Sequence, residues 1–518
     1  MAAEGTDGGP AGGPAGTNGP APSAAPRRQL PEPPRPAAQA IDSLLTVILT
    51  TSPTPSAPST DLVAAVLASF RAHCPALLAC PVIVVFDTYD HIGPQLRLKK
   101  GCVTPVEAAN YDAYKANVKQ LVGRTWGGDD GGQDAATETG LAEYGSPMIA
   151  DNAVPFTITR TAGGHIAFVE PTQRLGFGLA VRTAVRAATT PYVWVQQHDW
   201  TLAADIPVAA MLDAMRTAEN AMQAAENADG GGGGGLAESA GEDATPTMEL
   251  YATSEDDRTP GTPGTPGSPA HSVAEHTSAL DPSRPVAIRY ICLPSVRMLR
   301  YAASAHAVGF PTLRSLTAAF KRDVPVSSSV LAAGARASRP GDNAAHNAAH
   351  NAGHNAGHNA GHNAGHGQNL PLTPLFFWHD KTHIAARDHY LRRVFASRLA
   401  LGRGDFIEDH IGQRARAQMK RDPAAWHRWA CWLYYPDNGN RLCLRHLQGR
   451  TWRGEQQEQA IRDAYVLRNR SAASAAAAAA MAAGETKTKQ QYGTTDDVAG
   501  GADHGWHAMP FGSDEEAS

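Results

Sequence analysis

Acidic residues stand at the ends of apolar runs in this chain, and chemistry is first legible there. PVIVVF (81–86) is followed by Asp87, and Tyr192-Val193-Trp194-Val195 runs through Gln196-Gln197-His198 into Asp199. A carboxylate at the C-terminal end of a buried strand faces the crevice where open α/β sheets bind ligands. Hard divalent cations take oxygen ligands, so Asp199 is a candidate metal ligand; capping the next helix is the plain alternative. Adjacent acids Glu408 and Asp409 lie within GDFIEDHIGQ (404–413). Such a pair can move protons, or can simply complement the positive end of a helix. Trp378 and Asp380 follow the apolar Leu375-Phe376-Phe377. An indole at a strand end suits stacking on a sugar's C–H face, or belongs in the core.

The elements that must hold these groups follow from patterning. Arg174 to Trp200 reads as a glycine loop, a helix and a strand: Gly176 and Gly178 allow tight turning, and Leu179 to Ala188 has helical spacing of apolar residues. Arg182 and Arg186 lie one turn apart on that helix, and Pro191 ends it. Strands are expected at 44–49, 81–86, 156–159, 166–169, 286–293 and 375–378, and helices at 62–73, 111–122, 206–222 and 382–401. This alternation predicts an α/β protein with a mostly parallel sheet and helices on both faces.

The chain has 518 residues, with 50 Gly, 37 Pro and alanine runs gathered into blocks that lack large apolar side chains. Such blocks cannot offset their ordering entropy. A disordered leader (1–40), low-complexity inserts (225–283 and 326–369) and a disordered tail (468–518) are therefore expected around one domain spanning 41–467. Roughly 300 residues remain to form a core, enough for one large domain. The net charge of -5 and the lack of a basic stripe argue against a nucleic-acid partner. The six cysteines form no C-x-x-C pair and no zinc spacing, which suits reduced thiols. No apolar run reaches the roughly 18 residues of a membrane span. With no signal peptide either, the chain is expected to be cytoplasmic, or a Golgi enzyme where the gene's start is missing. The histidine tetrads at 346–366 could bind soft metals but read better as a slippage-derived tether. Dinucleotide, P-loop and G-x-S-x-G fingerprints are absent.

Taken in order, the strand with Asp87, the loop of Arg174, Gly176 and Gly178, the strand with Asp199, and Glu408-Asp409 resemble GT-A fold nucleotide-sugar glycosyltransferases, family-two-like, with a variant Asp-x-Asp motif. The resemblance implies a Rossmann-like fold and, with inversion, transfer of a hexose or pentose from a nucleotide sugar to a glycan, protein or small-molecule hydroxyl. It implies that Asp87, Arg174, Gly176, Gly178 and Arg450 bind the donor, and that Trp378 and Asp380 bind the acceptor. Asp409, or else Glu408, would be the base. A divalent cation (Mn or Mg) would sit on Asp199, with His198 and His446 as further ligands, His446 and Arg450 belonging to a terminal His-x-x-Gly-Arg element. Gln197 replaces the first acid of the motif. A catalytically degenerate domain that binds nucleotide or glycan as a scaffold is the alternative.

Overall fold

β1 (Leu45–Thr51) and β2 (Val82–Phe86) are parallel neighbours joined by the helix Asp61–His73. This computed structural model describes residues 40–127, 136–149, 151–229, 281–326 and 369–452, with scattered positions from 454 to 467. After β2 come a short ladder of β3 (His91–Ile92) with β4 (Cys102–Val103) and the helix Pro105–Trp126, whose first turn is capped by Thr104. β5 (Ala136–Glu143) and β6 (Ala153–Arg160) form an edge hairpin, and β7 (Ile166–Pro171) returns beside β2. The helix Phe177–Ala187 then crosses back to β8 (Tyr192–Gln197), on the other side of β1. β9 (Trp200–Leu202) and the helix Val208–Asp229 follow.

The second half contributes β10 (Tyr290–Cys292), β11 (Arg322–Pro325), β12 (Asn369–Pro374), β13 (His383–Ala386), β14 (Cys431–Tyr434) and β15 (Leu444–His446). The main sheet has eleven strands in the order β11-β12-β14-β10-β13-β8-β1-β2-β7-β6-β5. By chain sequence, its parallel centre β7-β2-β1-β8 runs 3-2-1-4, the order of a doubly wound half. Every residue of β1 and β2 is buried, so both faces of this centre are covered. The strand connections diverge on either side of β1, which sets a topological switch point at the C-terminal ends of β1 and β8.

The expectation of a mostly parallel sheet is corrected: six of the ten neighbour pairings are antiparallel. β13 accounts for two of them, and β6 and β12 for two each. The expected helix at 382–401 begins instead as the buried strand β13, antiparallel to both β8 and β10, before short helical turns at Arg387–His389 and Tyr390–Val394. Leu375, Phe376 and Trp378 are buried and Phe377 is half-buried, but they form no strand; the strand there is β12, which precedes them. The first insert was expected from 225, but the preceding helix continues to Asp229. The expected leader and tail, and most of both inserts, lie outside the described residues.

An aromatic core underlies the second half. Trp426, Trp429 and Trp432 are fully buried and donate their indole N–H groups to Cys431 O (3.0 Å), Gln418 Oε1 (2.9 Å) and Ala287 O (3.0 Å). These three indole N–H groups are thereby satisfied, as a dry interior demands, whereas Trp378 Nε1 has no partner among the described residues.

Candidate functional site

A cleft of about 820 Å³ opens at the switch point, over Thr50 and Thr51 of β1, Asp87 after β2 and Gln197 of β8. Six cations line it: Lys99, Arg174, Arg297, Lys381, Arg445 and Arg450. The carboxylates facing it are Asp87, Asp199, Asp380 and Glu408. A concave surface with this surplus of positive charge concentrates anionic ligands.

Asp87 holds the glycine loop. Its Oδ1 accepts the Leu175 N–H at 2.7 Å and its Oδ2 accepts the Gly176 N–H at 3.1 Å. Burial pushes this carboxyl up to about 6, against the pull of those two N–H groups and of Arg174. The loop's glycines serve the second acidic segment. Gly176 has φ +78°, and a Cβ there would lie 2.4 Å from Gly404 Cα; one on Gly178 would meet Leu401 Cδ1 at 2.7 Å. Gly178 donates its N–H to Asp405 O (3.0 Å), and Gly404 donates to Leu175 O (2.8 Å). The N–H of Gly178 is thus already satisfied within the protein. Arg174 faces the cleft and pairs with Asp90 at 3.9 Å, an acid it shares with Arg403 at 3.2 Å.

Asp199 follows β8 and is bound to a segment some 250 residues further along the chain. Its Oδ2 lies 3.1 Å from His446 Nε2 and accepts the Gly449 N–H at 3.2 Å, while its carbonyl accepts from Leu447 at 2.7 Å. These contacts follow from β9 pairing with β15, which sets His446 opposite Trp200. Gly449 has to be small, because a Cβ would fall 2.8 Å from His198 Nε2. Burial alone would raise the Asp199 carboxyl, but His446, His198 and the Gly449 N–H together hold it at about 2. Its other oxygen, Oδ1, is buried and has no hydrogen-bond partner among the described residues. A buried, ionised carboxylate with a bare oxygen is the environment a cation fits.

His198 does not complete that ligand set. Its Nδ1 accepts the Ser52 N–H at 3.2 Å, so the neutral ring carries its proton on Nε2, the atom turned toward Gly449. Burial depresses its basicity. Gln197 stands at the missing acid's place and donates its amide to Asp380 O at 2.8 Å. An ionised acid would repel that carbonyl, which accounts for the amide. Among the described residues no three His, Cys, Asp or Glu side chains gather as a metal cage.

Across the cleft, Asp380 and Glu408 cap each other. The Glu408 N–H donates to Asp380 Oδ2 (3.3 Å) and the Asp380 N–H to Glu408 Oε2 (3.4 Å). Glu408 also lies 3.5 Å from His379 Nδ1. Burial opposes its ionisation, yet His379, Lys381 and the Asp380 N–H hold its pKa below the ordinary glutamate value. Asp380 is nearly fully buried; burial first, and Glu408 second, drive its pKa well above the carboxylate range. Its Oδ1 has no partner among the described residues. The pair therefore holds one charge in Glu408 and one proton on Asp380. Glu408 opens a π-helical turn, Glu408–Gly412, a distortion frequent at functional sites.

Two of the expected site residues do not reach the cleft. Asp409 is exposed and does not line the cleft; the next residue on a helical turn points about 100° away, so Glu408 faces in and Asp409 faces out. Trp378 is fully buried, 4.2 Å from the Tyr290 ring and packed on Tyr390 and Trp429, so it offers no sugar-stacking edge. Arg450 and His446 do face the cleft, Arg450 near the Phe406 ring (5.8 Å) and His446 near the Trp200 ring (4.6 Å). Lys381, Arg297 and Arg445 were not anticipated. Arg445 and Lys381 each adjoin a residue that was singled out, and Arg297 follows the Pro294 that ends β10, so proximity to strand ends was the available signal.

No protein-family model matches the chain, and no curated protein sequence matches it. Among the described residues no helix is long and apolar enough to cross a membrane.

Proposed function

We propose that this chain is a nucleotide-sugar glycosyltransferase of GT-A type that moves a sugar to a hydroxyl acceptor with inversion. The observation that carries the reading is Asp199, an ionised and buried carboxylate with one bare oxygen, in a cation-lined cleft at the sheet's switch point. A diphosphate is the ligand class that such a cleft concentrates, and Arg174, Arg450 and Lys381 are the cations suited to bind it.

Asp199 would hold a divalent cation through Oδ1, with His446 the one imidazole able to join it. Bound there, the ion would neutralise charge on the departing diphosphate. With a single carboxylate, the protein's own hold on such an ion is weak and leans on the donor's phosphates.

Glu408 is the group suited to general-base work. It is ionised, lines the cleft, and is oriented by Asp380 and His379. In the transfer, the acceptor oxygen bonds to the anomeric carbon while its proton passes to Glu408. The bond from that carbon to the diphosphate breaks, and the electron pair leaves with the phosphate oxygen. Asp380 keeps Glu408 in place and adds no second charge.

Gln197 supports one other reading, a domain that binds nucleotide without turning it over, because its amide is committed to Asp380 O and brings no second acid. Thermal shifts across UDP-, GDP- and other nucleotide sugars, with and without manganese, test binding by mass action. Sugar release or transfer from the shifting donor separates enzyme from binder. No shift with any nucleotide sugar would overturn both readings.

A further inference from the structure

Residues 283–322 carry seven Lys and Arg and not one Asp or Glu. Arg297 from this stretch lines the cleft, but Arg300, Arg314 and Lys321 turn into a second cavity of about 610 Å³. Its walls are the helix Pro311–Phe320 and the turn Pro436–Gly439 with Tyr435, Asn438 and Asn440. Among the described residues no carboxylate lines it.

The way these cations are held matters more than their number. Arg300 Nε donates to Asn440 Oδ1 at 2.9 Å, and Lys321 Nζ donates to Asn438 Oδ1 at 3.3 Å while lying 5.2 Å from the centre of the Tyr435 ring. Neutral amides orient both charges and cancel neither. The Arg314 side chain makes no hydrogen bond or ion pair with any described residue. The backbone around them is strained to fit: Arg300 (φ 53°), Asp437 (φ 50°) and Asn438 (φ 49°) all sit in the left-handed region, though none is glycine. Left-handed backbone at non-glycine residues is costly, and such strain clusters at ligand clamps. Arg300 N donates to Gly439 O (2.8 Å) and Ala302 N to the Tyr435 hydroxyl (3.2 Å), which ties the strained pieces to each other.

We propose that this groove is a second anion site, separate from the cleft, that takes a phosphate group. Guanidinium forks match phosphate oxygens, and a one-signed wall with neutral partners leaves its full field for a ligand. The inference stands whether or not the cleft transfers sugar. The phosphate could belong to a soluble phosphorylated molecule or to a lipid headgroup; the chemistry at the groove is the same.

Calorimetry of the full chain with inorganic pyrophosphate at low ionic strength tests it, with Arg314→Gln and the double variant Arg314→Gln/Lys321→Gln alongside. We expect two binding events in the natural chain, one of them weakened about tenfold or more in the double variant while the other stays unchanged. Arg314 is exposed and unpaired, so its single variant keeps the test valid should the double variant unfold. Co-sedimentation with vesicles containing phosphatidic acid, abolished in the double variant, would make the source a lipid; retained pyrophosphate binding without sedimentation would make it soluble. Pyrophosphate binding by the variants equal to that of the natural chain, at every event, overturns the proposal.

Discussion

Gly176 and Gly404 stand back to back, so close that a Cβ on Gly176 would lie 2.4 Å from the Cα of Gly404. Two segments far apart in sequence, the loop tied to Asp87 and the acidic turn leading to Glu408, meet where neither has a side chain. The cleft's two walls are thereby set against each other by backbone contact. We expect Gly176→Ala to cost on the order of 3 kcal/mol, combining left-handed strain with a clash against backbone. Gly163, where a Cβ would meet nothing within 4 Å, should tolerate alanine within about 0.5 kcal/mol. Equal urea midpoints for the two variants would refute the back-to-back account.

Glu408→Gln should lower turnover by about two to four powers of ten with donor affinity nearly intact, the signature of a lost proton acceptor. Asp409→Asn should leave turnover within about threefold of the natural chain, because its carboxylate points to solvent. Kinetics on both variants with the donor found by thermal shift decide this; an inactive Asp409→Asn would return the role to the outer acid.

Asp199→Asn keeps the shape and removes the charge. Manganese-dependent binding of a nucleoside diphosphate should weaken by at least about tenfold, while metal-free binding through the cations persists. Calorimetry with and without the ion reads both terms, and an unchanged manganese effect would leave Asp199 no part in it.

Stability should fall in mild acid. His383 and His389 are buried and each is pushed down to about 4, with desolvation the leading cause. A histidine depressed in the folded state stabilises above the ordinary value near 6.5, and that contribution is lost as pH falls toward 4. Each is worth roughly 3 kcal/mol over that window. Asp87 works in the opposite sense: its carboxyl, raised to about 6, penalises the folded state above that pH and relieves it as pH drops toward 4. Asp380, raised well above the carboxylate range, adds to this opposing effect, and His379, pushed down to about 4 by burial, adds to that of the other two rings. The three histidines outweigh the two carboxyls, so the free energy of unfolding should decline between pH 6.5 and 4, and His383→Gln should flatten the decline. A profile that rises across this window would show that these rings are protonated in the native state.

Trp378→Ala should cost about 3–5 kcal/mol as a core truncation. A change in acceptor affinity without loss of stability would restore its role at a binding edge.

The acids after apolar runs were legible because a buried strand must end where its chain reaches the sheet's edge; Asp87 and Asp199 both line the cleft as that logic required. The choice between Glu408 and Asp409 was not, since neighbours on a helical turn differ only in phase, and phase depends on what the turn packs against. His383-Ile384-Ala385-Ala386 reads as helix in the sequence because four positions buried on both faces carry no period of their own. That reading also hides two of the antiparallel pairings, those of β13 with β8 and β10. The sequence leaves Trp378 open between core and edge, and only its neighbours Tyr290, Tyr390 and Trp429, none adjacent in sequence, decide it.

The clasp between β9 and β15 carries a consequence for synthesis. Asp199 emerges from the ribosome long before His446 and Gly449, the groups that neutralise and enclose it. A nascent chain holding every central strand would still lack the segment that closes this side of the cleft. Any product ending before β15 would leave Asp199 without His446 and Gly449, so closure of this cleft is a late event in synthesis, completed by one short segment.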